Sequence, residues 1–398
     1  MPSDPVSVML AVGVPPYQKT LAASLLRAGM LRRVCDLGPY LDIREPEANG
    51  SLKTIKRFPA YRFSMRVSWA IWRRLLPKSV FPWPPSELNV WLADRLISKW
   101  IGPSTIFHGC TAMCLASLAA AKRQGIITLV ESASRHPRHW KQTRLEEGKH
   151  IGVEARDTIK VLDEMLLRRR DEEFDLCDRI VVPSTVARQS FAALGYAEKT
   201  EIVPLGVDAD FFLPKSDDTQ PSATFRVCYV GRVEAAKGIA YLLRAWKRLA
   251  LPRAELVLVG EVKDEMKPFL ETYLNCNVRA TGVLTPQELT QCYHESSLSV
   301  MPSPNEGLAM VLLEAMASGL PVVATDLTGA VDCMESGKEG IIVPARNVDA
   351  LADAILWCYE HPDDAKAMGQ AARARIEREF TLEHYNQRII RLYRSLVA

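Results

Sequence analysis

The strongest constraint on this chain is a repeated pattern in which an apolar strand releases into a glycine-bearing loop and a helix follows. In the second half, four apolar runs end at Val230, Val259, Ala280 and Met301, and each opens into such a loop. That is the βα unit of a doubly wound parallel sheet, with close-approach backbone along one sheet edge. The first half opens the same way, with the strand Val6 to Val12, then Gly13-Val14-Pro15-Pro16, then a helical pattern from Tyr17 to Ala28. Gly13 suits either a backbone approach to a ligand or a plain turn. Strands then follow at Thr105 to His108, Ile126 to Val130, Arg179 to Val182 and Glu201 to Val203. The helical stretches between them are Thr111 to Gln124, residues 153–176 and Thr185 to Leu194.

A chain of 398 residues exceeds one ordinary core, so two α/β domains are expected. The segment Pro204 to Pro214 and the polar run Lys215 to Ser222 mark the joint. The division is 1–204, a linker at 205–222, 223–380, and a terminal helix at 381–398. That helix carries Tyr385, Ile389, Leu392 and Leu396 near one face. Asp349 to Tyr359 reads as another amphipathic helix.

Charge and cysteine usage narrow the class. A net charge of +3 argues against a dedicated nucleic-acid binder. The nine cysteines contain no CxxC pair and read as buried thiols of a reducing compartment, hence a cytoplasmic protein. No apolar run reaches membrane-spanning length, and no signal-peptide pattern opens the chain. Residues 51–100 stand apart, with ten Lys or Arg against two acids and five of the eight tryptophans. Interleaved cations and indoles fit peripheral contact with an anionic membrane, or equally a tryptophan core beneath solvated charges.

The chemistry gathers in Met301 to Pro321. A strand ends at Met301 and a helix follows, closed by Gly319 and Pro321. Glu306 is expected just before the helix and Glu314 inside it, with the Gly307 and Leu308 N–H groups facing the mouth of the turn as phosphate donors. Acids beside an anion site suggest a ligand that carries both hydroxyls and phosphates. Arg232 and Lys237 stand between Gly231 and Gly238 directly after a strand, a fork and a point charge for neighbouring pyrophosphate oxygens. Two such cations take the place of a divalent ion at a departing diphosphate. Asp208-Ala209-Asp210 has the outline of a metal site, but its place in a joint favours turn capping, so no metal is expected. Glu131 and His136, in the polar loop after Val130, are the candidates for contact with a reacting sugar. His136 fits a backbone-held loop residue as well.

These features together resemble glycosyltransferase family 4, the "group 1" transferases. The residues that carry the likeness are Glu306-x7-Glu314, Gly231-Arg232…Lys237-Gly238 and Val203-Pro204-Leu205-Gly206-Val207-Asp208. The likeness runs from about Asp178 onward and is weaker over the first 130 residues. It implies a GT-B fold, two Rossmann-like domains facing across a cleft, with the last helix crossing back to the first domain. It implies a retaining transfer from a nucleotide diphosphate sugar to a saccharide or lipid-linked acceptor, in surface polysaccharide or glycolipid assembly, with no cofactor. Under it, Glu314 holds the ribose and Glu306 the donor sugar, while Arg232 and Lys237 bind the diphosphate assisted by Gly307 and Leu308. Val283 backs the base, and Gly13 lines the donor phosphates from the other side.

The chain departs from the family in its first loop, which has a single glycine, and in carrying Glu131 where many members place a histidine. A glycosidase reading would need two carboxylates placed around one bond, one of them kept protonated, whereas Glu306 and Glu314 read as hydroxyl ligands. The alternatives are a nucleotide-sugar 2-epimerase of the same architecture and a catalytically silent nucleotide-sugar-binding subunit.

Overall fold

A computed structural model describes residues 6–12, 16–36, 55–57, 85–152, 160–215, 224–273 and 277–398. Two parallel sheets organise them. The first contains β1 (Val8–Val12), β2 (Leu31–Asp36), β3 (Ile55–Arg57), β4 (Ile106–Cys110), β5 (Ile127–Glu131), β6 (Arg179–Val182) and β7 (Thr200–Ile202), in the order β3-β2-β1-β4-β5-β6-β7. The second contains β8 (Phe225–Val230), β9 (Ala254–Val259), β10 (Val278–Gly282), β11 (Leu298–Met301), β12 (Val322–Thr325) and β13 (Ile341–Val343), in the order β10-β9-β8-β11-β12-β13. Strand order therefore reverses between β1 and β4 in one sheet and between β8 and β11 in the other. Ligands of doubly wound sheets sit at the carboxyl ends of strands at such points.

The strands are near-continuous apolar runs because helices cover both faces. Val227, Leu256, Val300 and Val323 are fully buried. Local chemistry sets several helix ends. Thr285 and Glu288 form a reciprocal capping box at one N-terminus. After Ala317, Gly319 N–H donates to Met316 O and Leu320 N–H to Ala315 O, with Gly319 at φ +73°. This is the double-bonded helix stop expected at Gly319. The helix expected from Thr111 starts only at Leu115. Ala112, at φ +75°, and Cys114 donate their N–H groups to the Glu173 carboxylate, which holds Thr111–Cys114 as a loop.

The chain crosses between the sheets twice, and the two crossings are stitched together. Val207 N–H donates to Phe380 O, and Leu382 N–H donates to Val207 O. Arg373 Nη1 donates to the carbonyls of Ala209, Phe212 and Ala317, binding the first crossing to the second sheet's layer. The Leu382–Val397 helix then packs on the first sheet's layer. Tyr385 lies edge-on to Tyr17 at 5.1 Å, Asn386 Nδ2 donates to Ser24 Oγ, and Tyr393 OH meets His108 Nδ1 at 2.6 Å. Its Tyr385 and Ile389 face is spent within the chain, both side chains being fully buried.

The eight described cysteines are free thiols. Asp208 Oδ1 accepts from Phe211 N–H at 3.0 Å, the turn-capping role expected of it. Of the five tryptophans in the basic segment, Trp69, Trp72 and Trp83 lie outside the described residues. Trp91 and Trp100 are half-buried, and the Arg95 guanidinium sits over the Trp91 ring at 4.1 Å. Among the described residues no helix is long and apolar enough to cross a membrane.

Candidate active site

The carboxyl ends of the two sheets face one another across a cleft of about 550 Å³. Tyr17 and Gln18 follow β1, Thr111–Met113 follow β4, and Glu131–Ser134 close β5; opposite them stand Arg232, Lys237, Asn305 and Glu306. The cleft thus opens where both strand orders reverse.

On the second sheet's side, backbone contact brings two loops together. Gly238 has φ +70°, and a Cβ there would lie 2.1 Å from Pro302 O, so only glycine lets the β8 loop touch the β11 loop. The result is an ion pair between Lys237 Nζ and Glu306 Oε1 at 2.5 Å, both less than a fifth exposed. Arg232, half-exposed, pairs with Glu234 at 3.1 Å, and its carbonyl accepts from Tyr229 OH. Glu306 N–H donates to Leu327 O and Ala309 N–H to Thr328 O, which fixes the loop that carries Glu306.

The helix starts at Met310 with Ala309 as N-cap, three residues later than expected. Gly307 and Leu308 therefore lie in the loop, and their N–H groups are not first-turn donors. Gly307 does something else. Its carbonyl accepts from Ser184 Oγ at 2.5 Å, and a Cβ on it would lie 2.3 Å from Ala133 O across the cleft. Glu314, on the Met310–Ala317 helix, accepts from Tyr293 OH at 3.3 Å, and burial pushes its carboxyl up to about 7. Val283 is 77% exposed after β10 and does not line the cleft. Gly13 lies outside the described residues.

On the first sheet's side, Glu131 is 5% exposed and accepts from Gln18 Nε2 and Tyr385 OH, both at 2.8 Å. Burial raises its pKa against the opposing pull of those two hydrogen bonds. His108 Nε2 lies 3.9 Å from Glu131, but burial lowers His108 to about 4, so its ring is neutral at pH 7. His136 departs from the sequence expectation. It is fully buried as the N-cap of the Pro137–His150 helix, Nδ1 accepting from Arg138 N–H. Its ring packs among Phe174, Phe191 and Tyr196 at 4.9–5.9 Å, outside the cleft lining. It shapes the loop that carries Ser132–Ser134 and does not reach a sugar.

Three cleft residues escaped the sequence reading. Asn305 is 2% exposed, and neither amide atom has a hydrogen-bond partner among the described residues, which makes it a candidate ligand contact. Trp140 and Arg170 line the first sheet's wall. The position of Asn305 beside Glu306 was the available signal for it. Trp140 and Arg170 lie on helices that only the fold brings to the cleft.

Residues 224–361 match the family described as "Glycosyl transferases group 1". The chain is 24% identical over 340 residues to a GDP-mannose-dependent monoacylated alpha-(1-6)-phosphatidylinositol monomannoside mannosyltransferase of Corynebacterium glutamicum, covering 80% of this chain and 83% of that one. It is 33% identical over 227 residues to a GDP-mannose-dependent alpha-(1-6)-phosphatidylinositol monomannoside mannosyltransferase of Mycobacterium tuberculosis, where it covers half of this chain and 57% of that relative. Among solved structures, a sucrose-phosphate synthase from Thermosynechococcus elongatus superposes with a TM-score of 0.69 at 20% identity, over 99% of this chain and 97% of that one. Anabaena HepE in complex with UDP gives 0.63 at 16% identity, over 98% and 99%. These likenesses show the GT-B fold.

Proposed function

Since this chain belongs to the group 1 glycosyltransferases, we propose that it is a retaining, metal-independent enzyme that transfers a sugar from a nucleotide diphosphate donor to a saccharide or lipid-linked acceptor. The observation that carries the reading is the convergence of Arg232, Lys237, Asn305 and Glu306 on one cleft, facing Glu131. The lipid-linked alternative draws on the phosphatidylinositol monomannoside mannosyltransferases among the relatives. Glycolipid or surface polysaccharide assembly is the corresponding role, and contact with a membrane surface through residues 51–100 would accompany it.

The donor diphosphate takes the positive charge of Arg232 and Lys237, and Lys237 exchanges Glu306 for phosphate oxygens. Glu306, released from that pair, accepts from hydroxyls of the donor sugar, and the unpartnered Asn305 amide supplies a donor and an acceptor beside it. Glu314 accepts from the ribose hydroxyls. In the transfer itself, the acceptor oxygen bonds to the anomeric carbon as the bond to the diphosphate breaks on the same face. The acceptor proton passes to the departing phosphate oxygen, leaving a nucleoside diphosphate. The two cations stabilise the charge that develops there, the work a divalent ion does elsewhere. Glu131, held by Gln18 and Tyr385, presents its carboxyl to the reacting sugar from the other wall.

A thermal-shift screen with UDP-, GDP- and ADP-sugars tests the reading, followed by turnover with the stabilising donor in the presence of a chelator. Stabilisation by one donor class and full activity with chelator are expected. Arg232→Ala with Lys237→Ala should lower turnover by at least about a hundredfold, the size of effect that follows loss of one donor to a developing negative charge in an oxyanion hole. No stabilisation by any donor, or near-normal rates in the double variant, would remove the proposal.

A further inference from the structure

We propose that the acceptor carries an anionic group, a phosphate monoester or diester beside a hydroxylated ring, and that Arg170 binds this group with Trp140 beneath the ring. The inference rests on the transferase reading above and concerns the wall opposite the donor. Five Arg, Lys and Glu side chains line the cleft: Arg170, Arg232 and Lys237 against Glu131 and Glu306. Lys237 is paired with Glu306 and Arg232 with Glu234, and these two cations belong to the second sheet's side with the donor. Arg170 differs on both counts. It lies on the Lys160–Leu176 helix of the first sheet's layer and makes no ion pair or hydrogen bond among the described residues.

Four of its neighbours along that helix are committed. Arg168 pairs with Glu164, Arg169 with the buried Asp94, and Asp171 with Arg138. Glu173 accepts from Ala112 and Cys114 N–H. The helix is thus tied to three separate segments of the first sheet's layer, and one of those ties shapes the cleft loop Thr111–Met113. Its one uncommitted guanidinium is half-buried at the cleft. Side chains locked in this way hold a binding group in place before the ligand arrives. A half-buried guanidinium that no described carboxylate neutralises is open to an anion, and a bidentate one is the partner that its fork fits.

Trp140, with Met113 and Pro137, supplies apolar surface on the same wall. An indole face suits the C–H face of a polyol or sugar ring. A neutral acceptor would leave Arg170 unpaired as it excludes water from the cleft, which disfavours it. The same phosphate chemistry occurs in a soluble sugar phosphate and in a phospholipid headgroup.

The test uses the full chain saturated with whichever of UDP or GDP it binds, so that the donor phosphate site is occupied. Calorimetric titration then compares glucose 6-phosphate with glucose, and glycerol 3-phosphate with glycerol. Separate arms use vesicles of phosphatidylinositol in phosphatidylcholine and vesicles of phosphatidylcholine alone. A phosphorylated probe should bind at least about tenfold more tightly than its neutral counterpart, as a charge-assisted hydrogen bond provides. Arg170→Ala should abolish that preference and Arg170→Lys should restore part of it, with nucleotide affinity within about twofold of wild type in both. Preference in the soluble arm alone or the vesicle arm alone identifies the source of the phosphate. No preference in any arm overturns the inference, as does a preference that survives Arg170→Ala. An equal loss of nucleotide affinity in Arg170→Ala also overturns it, since Arg170 would then serve the donor. Failure to bind either nucleotide counts against the donor reading instead.

Discussion

The Glu314 carboxyl shows how burial links stability to binding at a single residue. Burial pushes it up to about 7, above its ordinary value of 4.5. Between those values the folded protein binds more protons than the unfolded chain, so the stability of this group is full below about pH 4.5 and is lost as pH rises through 7. Glu314→Gln should therefore raise the Tm at pH 8 by a few degrees and change it little at pH 4.5; equal shifts at both would refute the account. Binding should run the other way. In the ribose-binding role proposed for it the ionised carboxylate is the acceptor, so wild-type nucleotide affinity should increase from pH 6 to 8 relative to Glu314→Gln, measured by titration calorimetry. Asn305 makes the same trade without a charge. Both amide atoms lack a partner among the described residues, and a buried polar group left so costs about 1–3 kcal/mol. Asn305→Leu should keep or raise the Tm while lowering kcat/KM for the donor by at least about tenfold. A variant that loses stability and keeps activity would sink that role.

At the scale of elements, the sequence was legible wherever apolar periodicity and glycine coincide. The strands ending at Val230, Val259 and Met301 stand as read, and so does the helix stop at Gly319, because these depend on neighbouring residues alone. Element starts were less legible where a distant side chain decides them. The helix after β4 begins late because Glu173, about sixty residues on, takes the Ala112 and Cys114 N–H groups. The Met310 start reflects the β11 loop bonding to Leu327 and Thr328 instead of winding into a helix. His136 looked like a sugar contact because it follows a strand's carboxyl end. In the fold, Phe174, Phe191 and Tyr196 draw its ring into the apolar layer behind the cleft. Arg170 and Trp140 carry no local signature, since nothing within their own helices marks the face that meets the cleft.

The whole molecule depends on how the two sheets close on one another. Gly307 meets Ala133 and Ser134 across the cleft, and Thr185 N–H and Oγ reach Asp332. On one flank, Arg346 pairs with Glu146 and with the buried Glu147, which also accepts from Tyr241 OH. The closed arrangement thus has direct bonds on both sides of the reaction space. A methyl group at Gly307 would meet backbone of the opposite half, which has no side chain to rotate away. Gly307→Ala should hold the halves apart, increase the radius of gyration in small-angle scattering and lower kcat by at least about tenfold, with nucleotide affinity reduced less. An unchanged scattering curve with unchanged kcat would show that closure does not need this contact. Water exclusion during transfer depends on the same closure.

The last helix also sets a timetable for the making of this protein. Tyr385 reaches Glu131 across 254 positions, and Tyr393 reaches His108 across 285. At synthesis rates of roughly 5–20 residues per second, the first sheet waits on the order of ten seconds to a minute for the hydroxyls that complete its floor. During that interval Gln18 is the one hydrogen-bond donor to the Glu131 carboxyl among the described side chains, and the surface that will bury Tyr385 and Tyr393 is open to water or to a chaperone. The half of the enzyme that is made first is therefore the half that matures last.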